Sequence, residues 1–459
     1  MKTFSKNTVL SLVMSTTVTC SMTWTSAFAG ESKTPSSSDF DAATYGKILR
    51  SVLPVKKDEH SFCYMKKESN KIVGINKDTP VRLASTTKLL TTNWAMQKWG
   101  PDYRMSTVIE YDTATHEAFI ANQLDPFFGS RRMYNLISEL NQRGIYEFSK
   151  LRFSKDFMIF LPVENPDFIH SEVMERQGIS DQKKAQVLMD ILNVANWSKE
   201  RIQNYEKAVK SAAEVGMSLI PYKELRFKVG SVEFSSDRLK AMVPDSSNKK
   251  IFVSKGAPIK DYMKQINKFS MNYPADVMFL ALGGAGEFKK FMAEKYKADM
   301  HDVNIAVGSG LYTEDKNGRF DGTATCALMV EVIASMNEKL KTENYDLKDV
   351  MMVGGIDQGT TFGLYSGSNK AGAVITKTGT LRNAITYAGE LKTKDGDIYF
   401  GAFFQSAAMA SARTARNKVV AELFSDNGGP KAIKYKSPVF RPFDAGSKMY
   451  EVMPRNSKS

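Results

Sequence analysis

Three short polar motifs, widely separated along the chain, constrain its fold more than any other feature of the sequence. Ser85 and Lys88 form an S-x-x-K pair, Ser270 and Asn272 form an S-x-N pair, and a K-T-G run begins at Lys377. Each motif is too short to be informative alone. Their order, with each motif in the local structure that its chemistry needs, is typical of one shared active site. A fold that uses them together has to join three distant parts of the chain.

The first motif stands at the beginning of a predicted helix. Over residues 86–99 the apolar side chains recur at helical spacing, and Gly100-Pro101 supplies a C-terminal cap and a stop. Ahead of this helix, residues 61–65 and 71–76 are predicted to form two short strands joined by a turn. Ser85 is therefore expected at the N-terminal end of a helix that follows a hairpin.

The N-terminus of the chain has the pattern of an export signal. Lys2 and Lys6 form a short basic region, a stretch rich in Leu, Val and Met follows over 9–19, and Ala27-Phe28-Ala29 matches the A-x-A cleavage pattern. No run of 18 or more apolar residues occurs, so a multi-span membrane protein is excluded. The sequence predicts a periplasmic protein, secreted through a signal peptide of residues 1–29 that is cleaved.

The charge balance is basic, with 63 Lys and Arg against 50 Asp and Glu and a formal net charge of +13. A basic surface favours weak association with an anionic cell wall or membrane surface. Export, together with the lack of a recognisable binding module, argues against nucleic acid as a partner. After cleavage two cysteines remain, Cys63 and Cys326. The periplasm permits a disulfide between them, but two separate buried thiols fit the sequence equally well.

Residues 101–250 differ in character from the sequence on either side. Strand-like pieces at 107–111 and 151–153 bracket a helical stretch at 131–143, and a long charged helical region follows at 181–215. The charges of this last region are most simply explained as the solvated face of a helix.

From residue 251 the chain returns to a compact α/β pattern. A helix is predicted over 259–282, and the Gly-rich run 283–286 is expected to end it as a loop. Residues 384–404 have the pattern of a β-hairpin with Asp395-Gly396 at its turn.

The side chains of the three motifs can support nucleophilic catalysis. Ser85 needs a base to take its proton, and Lys88 lies one helical turn away on the same face. A lysine acts as a base only when burial or a second positive charge favours its neutral form, and Lys377 would be that second charge. Ser270 is placed to relay a proton toward the leaving nitrogen. Asn272 can hold a substrate carbonyl and fix Lys88.

The K-T-G run is predicted to bind the substrate backbone. Residues 377–380 follow an apolar run and are expected to form an edge strand on which an extended peptide can lie. Thr378, Gly379 and Thr380 are the substrate-binding candidates. The backbone N–H groups of Ser85 and Thr380 would form an oxyanion hole.

With these motifs and their neighbours, the sequence resembles the low-molecular-mass class C penicillin-binding proteins, the D-alanyl-D-alanine carboxypeptidase/endopeptidase family of the DacB, or penicillin-binding protein 4, type. The resemblance covers residues 40–115 and 250–410 well and the middle weakly. The matching segments are Arg82-Leu83-Ala84-Ser85-Thr86-Thr87-Lys88-Leu89-Leu90-Thr91, Gly100-Pro101-Asp102-Tyr103-Arg104, Phe269-Ser270-Met271-Asn272 with Ala275-Asp276, Gly308-Ser309-Gly310-Leu311, Gly359-Thr360, Lys377-Thr378-Gly379-Thr380-Leu381 and Tyr387-Ala388-Gly389.

The resemblance implies an α/β (α+β) fold of the penicillin-binding serine transpeptidase/β-lactamase type, in which an antiparallel sheet is flanked by helices and joined by a helical subdomain. The peptidase domain would consist of residues 30–100 and 251–459, with 101–250 as one inserted domain. The resemblance also adds Ser309 to the substrate-binding residues.

Two departures from the family pattern bear on substrate choice. The relatives carry Asp before the 308–311 loop and Ser-Arg after it, whereas here Val307 precedes the loop and Tyr312-Thr313 follow. In the relatives that arginine helps to bind the terminal carboxylate of the substrate. Its loss argues against a strict carboxypeptidase preference and leaves endopeptidase action open. Arg319 and Arg382 are the candidates to replace it.

Other readings of the sequence are weaker. The four histidines do not have the spacing of metal ligands, which argues against a zinc peptidase. A Ser-His-Asp hydrolase would need a G-x-S-x-G elbow and a histidine downstream of it, and the chain has neither. A β-lactamase would need an E-x-x-L-N loop, and none occurs between Asn272 and Lys377. A non-catalytic protein that binds or organises peptidoglycan is the alternative from another class. The intact motifs argue against it, and the missing arginine argues for it.

The sequence therefore predicts a serine-type D-Ala-D-Ala carboxypeptidase or DD-endopeptidase that acts on peptidoglycan. It would cleave D-Ala-D-Ala ends or D-Ala–diaminopimelate cross-links through an acyl-enzyme on Ser85. The expected partners are peptidoglycan peptide stems, with β-lactam antibiotics as covalent inhibitors. No metal and no organic cofactor are implied.

Overall fold

The computed structural model describes residues 45–47, 60–122, 124–159, 180–235, 248–315, 318–405 and 408–452. The predicted signal peptide lies outside these residues. Within the described ranges, no helix is both long and apolar enough to span a bilayer.

Strands occur in two separate stretches of the chain, one before and one after the long charged helices. In chain order they are β1 (Ser61–Lys66), β2 (Ile72–Ile75), β3 (Val81–Arg82), β4 (Arg104–Asp112), β5 (Glu117–Asn122), β6 (Glu147–Phe148), β7 (Lys150–Ser154), β8 (Lys228–Val229), β9 (Val232–Ser235), β10 (Lys249–Pro258), β11 (Val303–Asn304), β12 (Thr313–Asp315), β13 (Gly318–Phe320), β14 (Thr323–Ala324), β15 (Met352–Val353), β16 (Val374–Leu381), β17 (Ala384–Leu391), β18 (Ile398–Gln405) and β19 (Tyr450–Glu451).

From residue 87 onward, the helices lie between these strands. They are α1 (Thr87–Trp99), α2 (Ser130–Gln142), α3 (Asp181–Leu192), α4 (Lys199–Ala213), α5 (Ile259–Phe269), α6 (Asn272–Leu282), α7 (Gly284–Tyr296), α8 (Cys326–Lys341), α9 (Phe362–Tyr365) and α10 (Met409–Ser425).

A six-stranded antiparallel sheet with the order β15-β16-β17-β18-β1-β2 forms the centre of the first core. Tyr387 and Ala388 are neighbours in β17, so their side chains point to opposite faces of the sheet. The ring of Tyr387 lies under Arg416 of α10, whereas Ala388 pairs with Gly401, beside which Cys326 of α8 packs. Helices therefore cover both faces, in agreement with the predicted fold class.

The predicted helix over 86–99 and both predicted hairpins are present. Helix α1 follows a single 3₁₀ turn, Ala84–Thr86, and ends at Gly100, whose φ of 79° is favoured by glycine. Strands β1 and β2 pair antiparallel, as do β17 and β18. Trp94 anchors α1 in the core through edge-on contacts with Phe279 and Phe288.

Cys63 and Cys326 form a disulfide, so of the two alternatives that the sequence left open, the paired one holds. Cys63 lies in β1 and Cys326 is the first residue of α8, and both are fully buried. The bond ties this helix to the face of the sheet on which it packs.

A second core surrounds a mixed six-stranded sheet with the order β19-β10-β4-β5-β7-β9. Strands β19 to β5 pair antiparallel, whereas β7 runs parallel to both β5 and β9. The predicted strands at 107–111 and 151–153 lie in β4 and β7, and the predicted helix at 131–143 is α2. This core also includes Phe443 and Met449 from the C-terminal segment. The domain boundaries at 101 and 250 stay a prediction.

The predicted charged helical region 181–215 is present as two helices, since Ser180 caps α3, Ser198 caps α4 and a 3₁₀ turn, Val194–Asn196, separates them. Two sequence predictions need correction. The predicted helix over 259–282 is interrupted at Ser270, whose φ is 55°. The run 283–286 is not a loop: Gly283 ends α6, and α7 begins at the next residue.

Candidate active site

Ser85 lies in the 3₁₀ turn that leads into α1, and two glycines of other motifs pack directly against this turn. A Cβ atom on Gly310 would lie 1.9 Å from the carbonyl oxygen of Ala84. A Cβ atom on Gly379 would lie 2.8 Å from the backbone nitrogen of Ser85. Both positions therefore exclude any side chain, since such distances are shorter than a non-bonded contact allows. The 308–311 loop and the K-T-G strand therefore both pack against the turn that carries Ser85.

The amine of Lys88 connects its own S-x-x-K motif with the S-x-N motif and with the 308–311 loop. Its Nζ lies 3.1 Å from Ser85 Oγ, 2.8 Å from Asn272 Oδ1 and 2.7 Å from the carbonyl oxygen of Ser309. Lys88 is fully buried. A neutral amine can donate two N–H groups to Asn272 and Ser309 and keep its lone pair for the hydroxyl proton of Ser85.

Ser309 is held in place by Asp276 of α6. The backbone N–H of Ser309 donates to Asp276 Oδ1 at 2.7 Å, and Ser309 Oγ accepts from the N–H of Leu311 at 3.2 Å. The side chain of Ser309 is thus used within its own loop, and its carbonyl faces Lys88. The predicted contact between Ser309 and substrate stays a prediction.

Lys377 lies on the other side of the pocket. Its Nζ is 2.8 Å from Ser270 Oγ and 2.6 Å from the carbonyl oxygen of Thr378. Burial lowers the pKa of Lys377 well below its ordinary value, and the charge of Lys88 lowers it further. Two ammonium groups in one buried pocket repel each other, so the pair favours a state with one neutral amine.

Ser270 occupies a left-handed backbone conformation that is rare for residues other than glycine. The N–H of Met271 donates to the carbonyl of Ile266, and the N–H of Thr360 donates to the carbonyl of Lys268, both at 3.1 Å. These bonds close the last turn of α5 and turn the chain sharply before α6. The turn aims Ser270 at Lys377 while Asn272 begins the next helix.

A buried acidic group behind α5 was missed by the sequence analysis. Asp357 is fully buried, accepts from Lys264 Nζ at 2.5 Å and from the N–H of Val353 at 2.7 Å, and also binds the hydroxyl groups of Tyr435 and Ser437. Burial raises the pKa of Asp357, but the charge of Lys264 and the hydrogen bonds that Asp357 accepts together outweigh it, so the pKa is lowered. The sequence signal is slight: a lone Asp after an apolar run, two residues before the matching Gly359-Thr360 pair.

The K-T-G strand is an edge along only part of its length. Strand β16 lies between β15 and β17, but β15 pairs only with Ile375 and Thr376. From Thr378 to Leu381 no strand of the described ranges pairs with the other side of β16. The edge strand predicted for residues 377–380 therefore lies in the part of β16 that has no partner on this side, and this part carries Thr378, Gly379 and Thr380.

The two candidate replacements for the missing arginine differ in surroundings. Arg319 of the β12–β13 hairpin pairs with Asp321 at 2.9 Å and stacks 4.2 Å over the ring of Tyr312. Arg382 is exposed in the turn after β16. The charge of Arg319 is therefore already matched by a carboxylate.

A surface cluster of possible metal ligands has a simple explanation. Asp299, His301 and Asp302 place one ligand atom each within 4.8 Å of one another, and all three are exposed or half-buried. Asp299 Oδ1 accepts from the backbone N–H groups of His301 and Asp302. These bonds belong to an ordinary Asx turn and account for the grouping.

Comparison with known proteins places the chain in a family. The model of the D-Ala-D-Ala carboxypeptidase 3 (S13) family matches residues 60–185 and 222–425. A comparison with curated protein sequences gives no match.

Solved structures are similar over most of the chain. Bd3459, a predatory peptidoglycan endopeptidase from Bdellovibrio bacteriovorus, is 31% identical with a TM-score of 0.74, and the match covers 85% of this chain and 98% of that one. Bd0816, a predatory endopeptidase of the same organism solved with immunity protein Bd3460, is 27% identical with a TM-score of 0.73, covering 85% and 99%. A structure of Bd3459 acylated by penicillin G is also similar.

A more distant structure supports the fold alone. Penicillin-binding protein 4 (dacB) from Haemophilus influenzae is 16% identical with a TM-score of 0.54, and the match covers 83% of this chain and 99% of that one. The family match extends over most of the chain and spans the segments that carry all three motifs. The chain therefore belongs to the D-Ala-D-Ala carboxypeptidase S13 family, the low-molecular-mass class C penicillin-binding proteins, and is a serine-type DD-peptidase.

Proposed function

We propose that this DD-peptidase cleaves peptidoglycan cross-links through an acyl-enzyme on Ser85. The observation that carries the proposal is the position of Lys88 Nζ, 3.1 Å from Ser85 Oγ and within 2.8 Å of two acceptors that fix its orientation. A nucleophile and a base within hydrogen-bond reach, with the base oriented by further groups, are the parts that covalent catalysis requires.

Acylation begins with neutral Lys88. Its lone pair takes the proton of the Ser85 hydroxyl while Oγ attacks the carbonyl carbon of the D-Ala residue, forming a tetrahedral oxyanion. The backbone N–H groups of Ser85 and Thr380 donate to this oxyanion. The close approach of Gly379 to Ser85 N supports the proposal, because it brings the two backbone segments to one point.

Collapse of the tetrahedral intermediate breaks the C–N bond of the scissile peptide. The Lys88 ammonium passes its proton through Ser270, which Lys377 holds at 2.8 Å, to the leaving nitrogen, which departs as a free amine and leaves Lys88 neutral again. Water then attacks the ester carbonyl and gives one proton to the Lys88 amine. Lys88 returns this proton to Ser85 Oγ as the ester C–O bond breaks, which releases the acid and restores the serine hydroxyl. Asn272, Thr378 and Gly379 hold the peptide backbone of the substrate along the unpaired half of β16.

Substrate choice is proposed to favour cross-links over free D-Ala-D-Ala ends. A carboxypeptidase needs a cation for the terminal carboxylate, whereas Arg319 is paired with Asp321 and stacked on Tyr312. The 31% identical Bd3459 is an endopeptidase.

We further propose that the protein reaches the periplasm through cleavage of residues 1–29 and that residues 101–250 are one inserted domain.

Fluorescent penicillin labelling of the purified mature protein tests the nucleophile. The wild type should keep the label after denaturation, and Ser85→Ala should keep none, because the ester forms on that hydroxyl. Ser69→Ala, on an exposed turn, is the matched control and should label like the wild type. Label retained by Ser85→Ala would contradict the assignment.

Digestion of purified muropeptides tests the substrate. We expect the wild type to convert cross-linked dimers into monomers faster than it removes the terminal D-Ala from monomeric pentapeptides. A faster release of terminal D-Ala would contradict the endopeptidase proposal and leave the acyl-enzyme on Ser85 intact.

A further inference from the structure

The C-terminal segment carries a run of positive charge, of which only Arg441 forms an ion pair in the described residues, with Glu214. From Pro430 to Phe443 the sequence has four basic residues and no acidic one. Lys431, Lys434 and Lys436, here named the basic strip, are all exposed. Pro430 lies at one end of the strip and Pro438 follows its last lysine, both consistent with an extended backbone.

The strip is held in place by the residues that alternate with it. The N–H of Ile433 donates to the carbonyl of Gly372 at 3.0 Å, and the side chains of Tyr435 and Ser437 bind buried Asp357. In an extended segment neighbouring side chains point to opposite sides, so Lys434 and Lys436 face outward. Two residues of extended chain separate their attachment points by about 7 Å.

Nearby carboxylates do not neutralise the strip. Asp357 faces inward and lies within ion-pair distance of Lys264 and Lys268. On the adjacent loop, Asp346 and Asp349 are both paired with Lys348. Among the described residues no acidic side chain forms an ion pair with the three lysines of the strip.

The strip ends beside the helix that carries part of the active site. Ser437 Oγ lies 3.4 Å from Lys268 Nζ, and Lys268 is two residues before Ser270 on the chain. A polymer that follows the strip past Ser437 therefore reaches the last turn of α5, where the catalytic pocket begins.

From this arrangement we infer that the basic strip binds the stem-peptide carboxylates of polymeric peptidoglycan and guides a strand toward the pocket. The inference rests on the proposed function for its substrate. Its partner is the intact sacculus, which presents many carboxylates at once, rather than a single soluble stem. The three unpaired lysines attract such a surface electrostatically, and salt weakens this attraction. Because their backbone is already fixed, binding costs the protein little conformational entropy.

Sedimentation with purified sacculi tests the strip. The full-length mature chain is used with Ser85→Ala, so that the sacculi are not digested. Lys431→Gln/Lys434→Gln/Lys436→Gln is compared with Lys199→Gln/Lys207→Gln/Lys210→Gln, three exposed lysines at the start of and along α4. At about 0.05 M salt the strip variant should bind roughly tenfold more weakly, and the α4 variant within about twofold of the parent.

The same variants are also sedimented with vesicles of anionic phosphatidylglycerol. Three outcomes would overturn the inference: unchanged binding of the strip variant to sacculi, an equal loss of binding in both variants, or a loss of binding to the vesicles and not to sacculi. The second would mean that net charge alone matters, and the third that the strip faces a membrane. Penicillin acylation of the same variants with Ser85 intact separates this test from the proposed function. It should equal that of the wild type, whereas failure of the wild type itself to acylate would refute the function and not the strip.

Discussion

Two buried lysines, Lys264 and Lys377, have opposite electrostatic surroundings although burial lowers the pKa of both. Lys264 lies 2.5 Å from Asp357, which stabilises its positive charge. Burial has the larger effect and lowers the pKa of Lys264 to about 8. The charged neighbour of Lys377 is Lys88, and its repulsion adds to the effect of burial. The carboxylate makes Lys264 a structural cation, whereas the like charge makes the Lys377–Lys88 pair a source of neutral amine.

The comparison shows that the two pairs of lysines serve different purposes. Lys264 and Lys268 on α5 surround one carboxylate and hold the helix that presents Ser270. Lys88 and Lys377 surround the two serine hydroxyl groups, Ser85 and Ser270. The first pair fixes the geometry, and the second uses it to move a proton.

The largest expected effect is that of removing the proposed base. Lys88→Met keeps the length and burial of the side chain, so the fold should persist, but no amine remains to take the Ser85 proton. We expect the rate of penicillin acylation to fall by about 10³-fold. Lys98→Met, on an exposed position of the same helix, is the control and should acylate normally. A Lys88→Met variant that acylates at the wild-type rate would show that Lys88 is not the base, and the Lys88–Lys377 pair would then have no catalytic role that sets it apart from Lys264 and Lys268.

The next effect is on stability. Asp357→Asn leaves the ammonium of Lys264 buried without its carboxylate, so we expect the free energy of unfolding in urea to fall by about 3–5 kcal/mol. Asp156→Asn, at an exposed position, should change it by less than about 0.5 kcal/mol. The double variant Lys264→Met/Asp357→Leu should lose less than Asp357→Asn, since both charges are gone. An Asp357→Asn protein as stable as the wild type would show that the carboxylate does not support Lys264.

Replacing the disulfide should lower stability without touching the chemistry. We expect Cys63→Ser/Cys326→Ser to reduce the free energy of unfolding by about 2–4 kcal/mol, mainly because the unfolded chain becomes less constrained. Acylation measured well below the unfolding temperature should equal that of the wild type. Loss of acylation in a folded double variant would mean that the disulfide also positions the pocket.

The smallest effect concerns pH. As the pH falls, the Lys88–Lys377 pair takes up a second proton and no neutral amine remains, so the acylation rate should decrease by up to tenfold per pH unit. Lys377→Gln removes the repelling charge, and the acid side of the profile should shift to higher pH by about one unit. The measurement is the rate of penicillin acylation between pH 5 and 9. A shift to lower pH would mean that Lys377 does not favour the neutral amine.

Local signals explain which parts of the fold were predictable. Helix α1 has helical spacing and the Gly100-Pro101 stop, and the hairpin of β17 and β18 has Asp395-Gly396 at its turn, so both could be predicted from a few neighbouring residues. The break at Ser270 could not, because the end of α5 is fixed partly by Thr360, whose N–H donates to the carbonyl of Lys268 from a distant segment of the chain. The same holds for the second sheet, whose β19 comes from the C-terminal segment.

The candidate site shows the same division. The residues on the three motifs were predicted because the chemistry demands their types in that order. Asp357 and Asp276 were not identified as supporting groups, because their partners come from distant segments and a single Asp has no spacing to recognise. These two carboxylates support the site because of where the fold places them: Asp276 binds the backbone of Ser309, and Asp357 binds Lys264.

The disulfide has a consequence for the topology of the molecule. The bond between Cys63 and Cys326 spans 263 residues and closes that part of the chain into a covalent ring. Ser85, Lys88, Ser270, Asn272 and Ser309 all belong to this ring, together with every strand of the second sheet except β19, whereas Lys377 lies outside it. A protease that cuts once inside the ring opens it but releases nothing, so both serine motifs stay on one covalent molecule with the K-T-G strand.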